Sequence, residues 1–443
     1  MSVSVHNQQA LLNELYAERK ALSREIGRRK AEGRRADDLV EQARAISARI
    51  KELTADGRAP GERAEAEPAT WATAVATSAA GVTALQADWQ DLGARGAAPS
   101  PFLTWEWMAS WCETYEDAGL IQCLTVRDAA GRLVGIVPLF LSQRRDRKLS
   151  RRQLGFISTY GPSWGNYLEL IHTPEALDAV VAATVEHLQK TRGEWRDLKL
   201  LRVPVEAQCA FPLIRALLRR DWQVVVRPAP PAAVHALPDE PEAVIASLAS
   251  AKLRERLRGA QRRLAAEHPR HAFSTCPSRD ELGAWLEPVM RLNADRRSML
   301  SRPSNFLDAQ YRECFLRSMQ RFWEAGWLRV VRLEINGDVA AAMPFLIYRD
   351  TCYSLNPGWK PEYADYRVGH LIFVRAMELA VGEGARKFDL LPGYDAYKFQ
   401  YASGQRQVMD ICAWHGRPQM LRSLVGELAA AVAGRAVRLG KGG

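Results

Sequence analysis

Apolar positions near the start of the chain recur with a helical period. Leu11, Leu15, Leu22 and Ile26 fall within one narrow stripe. Gly33 breaks the run, and Leu39, Ala43, Ile46, Ile50 and Leu53 then follow a coiled-coil seam. The pattern predicts an antiparallel helical hairpin over residues 1–56, turning near 31–36. Residues 57–70 are polar, punctuated by Gly and Pro, and read as a linker. Globular sequence begins near Trp71.

Two later stretches repeat one another. GRLVGIVPLFL (131–141) and GDVAAAMPFLI (337–347) each open on a turn glycine and reach a proline, Pro138 or Pro344, at the same interval. Each follows an alternating run that reads as the first strand of a hairpin, so 124–141 and 330–347 are expected to be equivalent. The repeat predicts a first α/β unit over 71–240 and a second over 241–417. Residues 242–268 read as a long amphipathic helix carrying Lys252, Arg254, Arg256, Arg258, Arg262 and Arg263. The run Arg144–Arg152 reads as an exposed basic loop. In the second unit a strand is expected over Thr351–Leu355, a helix opening near Val368-Gly369-His370, and a strand over Lys387–Leu391. Residues 410–415 read as a final strand, and 418–443 as an amphipathic helix that packs on the body or touches a membrane surface.

Composition narrows the class. Of 443 residues, 47% are hydrophobic and 25% charged, as in soluble globular proteins. No apolar run is long enough to span a membrane, and the start lacks a secretory pattern, so a cytoplasmic location is expected. The seven cysteines are widely spaced and read as buried, reduced thiols, not a metal site. A net charge of +10 favours an anionic partner. Arg28, Arg29, Lys30, Arg34 and Arg35 cluster at the hairpin turn, so its tip is basic; a solvated or dimerising coiled coil has the same composition.

The richest chemistry lies in the second unit. A helix opening after Arg367 and Gly369 offers free backbone N–H groups to an anion, with His370 beside them. Asp389 ends a buried strand and is followed by Gly393, Tyr397 and Lys398; ligands in α/β folds favour strand ends. A purely structural use of the same residues is Asp389 capping the turn with Lys398 paired to it. His268 and His271 flank a proline, which spoils a helical ligand pair, and His415 stands alone. No Ser-His-Asp motif, phosphate-binding loop, dinucleotide fingerprint or His-Glu-x-x-His occurs.

Gly369, Asp389, Gly393, Tyr397 and Lys398 resemble the closing half of the acetyltransferase domain of CelD-type polysaccharide-biosynthesis proteins, a GNAT-superfamily variant. The basic helix at 251–264, the helix of Leu292 and Arg296, the segment 101–111 with Trp107 and the segment Gly161–Leu170 are also similar to it. In that last segment the family often has Asp before Tyr; this chain has Asn166-Tyr167. The resemblance covers about residues 85–417 and implies tandem GNAT-like units, as in Fem-type aminoacyltransferases. Residues 18–53 resemble the tRNA-contacting hairpin of seryl-tRNA synthetases. The expected fold class is therefore α/β: tandem GNAT-like units behind an N-terminal antiparallel helical hairpin. The resemblance implies an acyltransferase with Asp389, Tyr397 and Lys398 as catalytic residues and Arg367, Gly369, His370 and Gly393 binding the donor. It implies no bound cofactor and no metal; the co-substrate is acetyl-CoA or, alternatively, an aminoacyl-tRNA held through Arg28, Arg29, Lys30, Arg34 and Arg35. The acceptor would be a small molecule, saccharide or peptide, and DNA is not expected as a partner. The pyrophosphate loop of ordinary GNAT enzymes is reduced here to the single glycine of YRVGHL. A coiled-coil adaptor without catalysis is the third alternative.

Overall fold

A computed structural model describes residues 41–42, 71–146, 149–161, 165–299 and 303–427. The hairpin arm, apart from residues 41–42, the basic cluster at its turn and the linker lie outside these residues. The chain divides into Met1–Ala69 and Thr70–Gly443, and the second division holds both sheets described below.

In chain order the first half contributes β1 (Ala72–Ala76), α1 (Trp105–Tyr115), β2 (Gly119–Arg127), β3 (Leu133–Asp146), β4 (Leu149–Phe156), β5 (Ile171–His172), α2 (Leu177–Lys190), β6 (Asp197–Pro204), α3 (Ala210–Leu218), β7 (Gln223–Pro228) and β8 (Ala232–Ala236). The second half contributes α4 (Ala251–Glu267), β9 (His271–Thr275), α5 (Leu282–Met299), α6 (Ala309–Glu324), β10 (Leu328–Ile335), β11 (Asp338–Tyr348), β12 (Thr351–Ser354), β13 (Gly358–Trp359), α7 (Val368–Gly382), β14 (Lys387–Pro392), β15 (Gly404–Arg406) and β16 (Val408–Trp414). One sheet runs β1-β2-β3-β4-β6-β16-β7, with β5 on β3; the other runs β9-β10-β11-β12-β14-β8-β15, with β13 on β11.

The two orders are the same design. The expected hairpins occupy equivalent places, and their prolines have a physical reason. β3 pairs with β5 at Gly135 and Ile136 and with β4 from Leu139 onward. Pro138 falls in the gap, where its missing N–H costs no ladder bond. Its carbonyl still accepts from Ile157 N–H, as Pro344 accepts from Leu355 N–H. Pro344 likewise separates β13 pairing at Ala341 and Ala342 from β12 pairing that starts at Phe345.

The halves differ from the expected boundaries in one respect. β8 belongs to the first half of the chain but pairs with β14 and β15; β16 belongs to the second but pairs with β6 and β7. Each sheet therefore holds an inner strand supplied by the other half. Helices reinforce the exchange: Arg321 of α6 pairs with Glu113 of α1 at 2.7 Å and lies over Trp105, and Trp107 stacks on Phe322.

The described parts of the basic run, 144–146 and 149–152, are strand rather than loop. Arg144 pairs with Arg151 and Arg145 with Ser150 in an extension of the β3–β4 ladder. All seven cysteines are buried and free. No helix among the described residues is long and apolar enough to cross a membrane. Residues 417–427 are helical. There Glu427 bridges Lys199 and Arg227 on the first sheet, while Leu421 and Val425 face solvent.

A chain ending at residue 403 lacks β15 and β16. It is expected to lose cooperative melting, because β6 and β7 lose the strand between them; thermal circular dichroism checks this. A sharp transition near that of the full chain would show that the exchanged strand is dispensable.

Candidate functional site

The site grows from a bulge. β12 and β14 run parallel only through Tyr353 and Asp389. The ladder from β14 to β8 then shifts between Asp389 and Pro392. There Leu391 adopts a left-handed conformation, φ 60°, and its N–H turns back to Asp389 Oδ1 at 2.8 Å. The first half repeats this: Arg202 has φ 60°, and its N–H bonds Asp410 Oδ1 at 2.9 Å. A left-handed non-glycine residue costs on the order of 1–2 kcal/mol, and each is held by a carboxylate that takes the N–H the ladder has lost. Leu391 and Arg202 border the same cleft.

The cleft has three linked compartments. A first, of about 250 Å³, is lined by Arg296, Trp359, Arg367, Val368, Gly369, His370, Phe373 and Tyr397. A central one, also about 250 Å³, holds Asn166, Arg202, Asn293, Arg296, Arg297, Asn356, Tyr397 and Lys398, with Asp395 its only carboxylate. A third, of about 460 Å³, is an aromatic chamber built by Phe102, Trp107, Tyr311, Phe315 and Met319. Arg296 and Tyr397 are common to the first two, and Asn166, Arg202 and Asn356 to the last two. Four cations against one acid make the centre electropositive.

The first compartment is a cradle for an anion. α7 starts at Arg367 in a left-handed conformation without a side-chain cap. The N–H groups of Val368 and Gly369 have no acceptor among the described residues. A helix start of this kind carries partial positive charge, and Arg296 and Arg367 add to it. Gly369 is needed for a reason the sequence did not reveal: a Cβ there would meet the Trp359 ring at 2.6 Å. The glycine seats Trp359 against the helix and so forms the cradle wall. His370 Nδ1 lies 2.5 Å from Tyr401 Oη. Burial, together with Arg367, Arg256 and Arg296, pushes its pKa down to about 4, so the imidazole is neutral at physiological pH.

The structure brings Arg367, Gly369, His370 and Tyr397 together in the cradle, and Tyr397 and Lys398 together in the centre. The Lys398 side chain is 13% exposed. Its Nζ donates to Leu391 O at 3.2 Å and lies 3.9 Å from Asp395, and burial lowers its pKa. Gly393 makes room for that ammonium, since a Cβ would stand 3.0 Å from Nζ. Asp389 lines none of the three compartments. It is 2% exposed and accepts the Tyr167 hydroxyl on both oxygens at 2.7 and 2.8 Å. Burial raises its pKa, against the Tyr167 and Leu391 hydrogen bonds. Arg406 lies over the Tyr167 ring at 3.9 Å. The pair ties the two halves together directly behind the cleft.

Arg202, Arg297, Asn356 and Tyr311 were not singled out from sequence. Arg202 had a signal: it is a second cation, after Lys199, late in the largely buried strand DLKLLRVP, where a charge is costly unless it is used.

Residues 251–399 match the acetyltransferase (GNAT) domain family, so the second half carries that domain and the tandem α/β reading holds. No curated protein matches the chain. Three solved structures are similar at low identity. A conserved protein of unknown function from Bacteroides thetaiotaomicron is 13% identical, over 74% of this chain and 97% of that one, at TM-score 0.49. FemX is 12% identical over 71% and 93%, at TM-score 0.48. A tandem GNAT protein from the clavulanic acid biosynthesis pathway is 13% identical over 79% and 99%, at TM-score 0.41.

Tyr167→Phe removes the hydroxyl that faces the buried Asp389 carboxylate, and a loss of about 1–3 kcal/mol of stability is expected in urea unfolding. An unchanged midpoint would mean that Asp389 does not depend on Tyr167. His370 gives a pH signature with a definite sign. The unfolded chain takes up a proton near pH 6.5, whereas the native imidazole resists until about pH 4, so stability falls as pH drops through that window. His370→Gln should flatten this part of the melting-temperature profile.

Proposed function

We propose that this chain, carrying a GNAT acetyltransferase domain at residues 251–399, moves an acyl group from a coenzyme A thioester to an amine or hydroxyl acceptor. The observation that carries the reading is the cradle: an uncapped helix start flanked by Arg296 and Arg367, opening onto parallel strands that part at a bulge. The donor's phosphates sit on the N–H groups of Val368 and Gly369. Its thioester arm follows the opening between β12 and β14, which places the acyl carbon in the electropositive centre.

There Lys398 faces the oxyanion that develops when the nucleophile attacks, and Tyr397 orients the donor across both compartments. The ammonium is already desolvated, so its attraction for a new negative charge is strong. The acceptor enters from the aromatic chamber, with Asn166, Asn356 and Arg202 at its mouth. Asp395, the carboxylate of this compartment, takes the nucleophile's proton, directly or through water; collapse of the tetrahedral intermediate breaks the C–S bond, and the departing coenzyme A thiolate takes up a proton from Asp395 or solvent. Asp389 acts as a positioning residue: it holds the Leu391 bulge and so the shape of the opening.

An aminoacyl-tRNA donor is the second reading, favoured by the basic cluster at residues 28–35 and the four cations of the centre. One experiment separates the two. Saturating acetyl-CoA should raise the melting temperature of the full chain by several degrees. The doubly substituted Arg296→Ala, Arg367→Ala protein should lose most of that shift, and Lys398→Ala should abolish transfer with a nearly unchanged melting temperature. No shift with coenzyme A or acetyl-CoA, together with salt-sensitive tRNA retention that is lost on deleting residues 1–56, would replace the thioester with tRNA.

A further inference from the structure

The first half repeats the frame of the second but not its chemistry. β5 and β13 hold equivalent places: His172 pairs with Gly135 as Trp359 pairs with Ala341. Glu169 precedes His172 by the interval at which Asn356 precedes Trp359. Cys209 follows the left-handed Arg202 by the interval at which Lys398 follows the left-handed Leu391. Where the second half places Asn356, Trp359 and Lys398 around its cleft, the first places Glu169, His172 and Cys209. The donor cradle is not repeated: the turn before α2 begins at Pro174 and carries Glu175, which repels an anion.

These three side chains are all buried, and one ligand atom from each lies within 4.8 Å of the others. Each is arranged as a metal ligand would be. His172 Nδ1 lies 3.0 Å from the carbonyl of Thr173. A carbonyl only accepts, so Nδ1 carries the proton and Nε2 is left with its lone pair, the tautomer that a second-shell carbonyl fixes in metal-bound histidines. The Cys209 sulfur is buried, lies 3.7 Å from Glu169 Oε2, and faces the backbone N–H groups of Leu170 and of Cys209 itself. The Glu169 carboxylate is 7% exposed, and its hydrogen-bond donor among the described residues is the Cys209 thiol, at 3.7 Å. A buried carboxylate whose donor is only a thiol has lone pairs that an ion could take up. The nearby Arg406 guanidinium is paired with Glu206 at 2.5 Å.

We propose that Glu169, His172 and Cys209 form a binding site for one divalent zinc-class ion in the first half. Thiolate, carboxylate and neutral imidazole together balance a divalent charge. Sulfur and nitrogen donors select zinc over magnesium or calcium. Roughly 2.0–2.3 Å bonds from one ion to all three need only small side-chain rotations. The ion would fasten the segment before β5 to Cys209, which caps the start of α3, leaving a fourth position for water.

The test uses the full chain, stripped with chelator and dialysed against zinc chloride. One tightly retained zinc per chain is expected by mass spectrometry. Cobalt chloride should give a thiolate-to-cobalt charge-transfer band and the visible bands of a tetrahedral site. Glu169→Gln, His172→Gln and Cys209→Ser should each weaken zinc retention more than about tenfold, and Cys209→Ser should also remove the charge-transfer band, while Cys123→Ser leaves both readouts intact. If the variants fail to fold, the wild-type chain still decides: absence of a retained zinc, or a cobalt spectrum without the charge-transfer band, overturns the site. Zinc retained equally by folded Cys209→Ser and His172→Gln overturns it as well.

Discussion

Neither sheet is complete without the other half of the chain. β16 lies between β6 and β7, and β8 lies between β14 and β15. A β-sheet cannot omit an inner strand without exposing rows of unpaired N–H and C=O groups. The two halves are therefore one cooperative object, whatever their separate ancestry. The exchange also brings the two bulges together: Arg202 stands opposite an incoming strand from the second half, and Leu391 opposite one from the first. The cleft between them exists because the strands are exchanged.

Tyr167 and Asp389 make that arrangement specific. A carboxylate removed from water loses several kcal/mol of hydration, and hydrogen bonds must offset it. Asp389 recovers them from a hydroxyl contributed by the first half and from Leu391 N–H in its own bulge. The same residue thus senses whether the halves are docked and whether the bulge is formed.

The near-symmetry of the frame sharpens the asymmetry of the chemistry. In the second half the helix after the short strand starts uncapped among arginines, with a glycine admitting Trp359. In the first half the equivalent turn carries Glu175, and Gly135 instead admits Val180, whose Cγ2 would meet a Cβ at 2.1 Å. The frame supplies two parting strand pairs; local side chains make one an electropositive cradle and leave the other lined by small, buried polar groups.

The features legible in sequence were those set within a few residues. The duplicated hairpins show because a turn glycine and a gap proline are local requirements. The start of α7 and the Gly393–Lys398 cluster show because helix starts and strand ends have their own residue preferences. Their grouping around a cleft was legible only in part, since Tyr397 and Lys398 follow Gly393 closely whereas Arg202 and Asn166 arrive from the other half. Sequence placed Asp389 with the reacting groups; in the fold its side chain meets Tyr167 across the junction of the halves and lines none of the three compartments. The exchanged strands carry no local mark, as a strand's pattern records that it is buried and not which neighbours bury it. Glu169, His172 and Cys209 meet only because β5, the bulge of β6 and the start of α3 converge, and no spacing along the chain encodes that convergence.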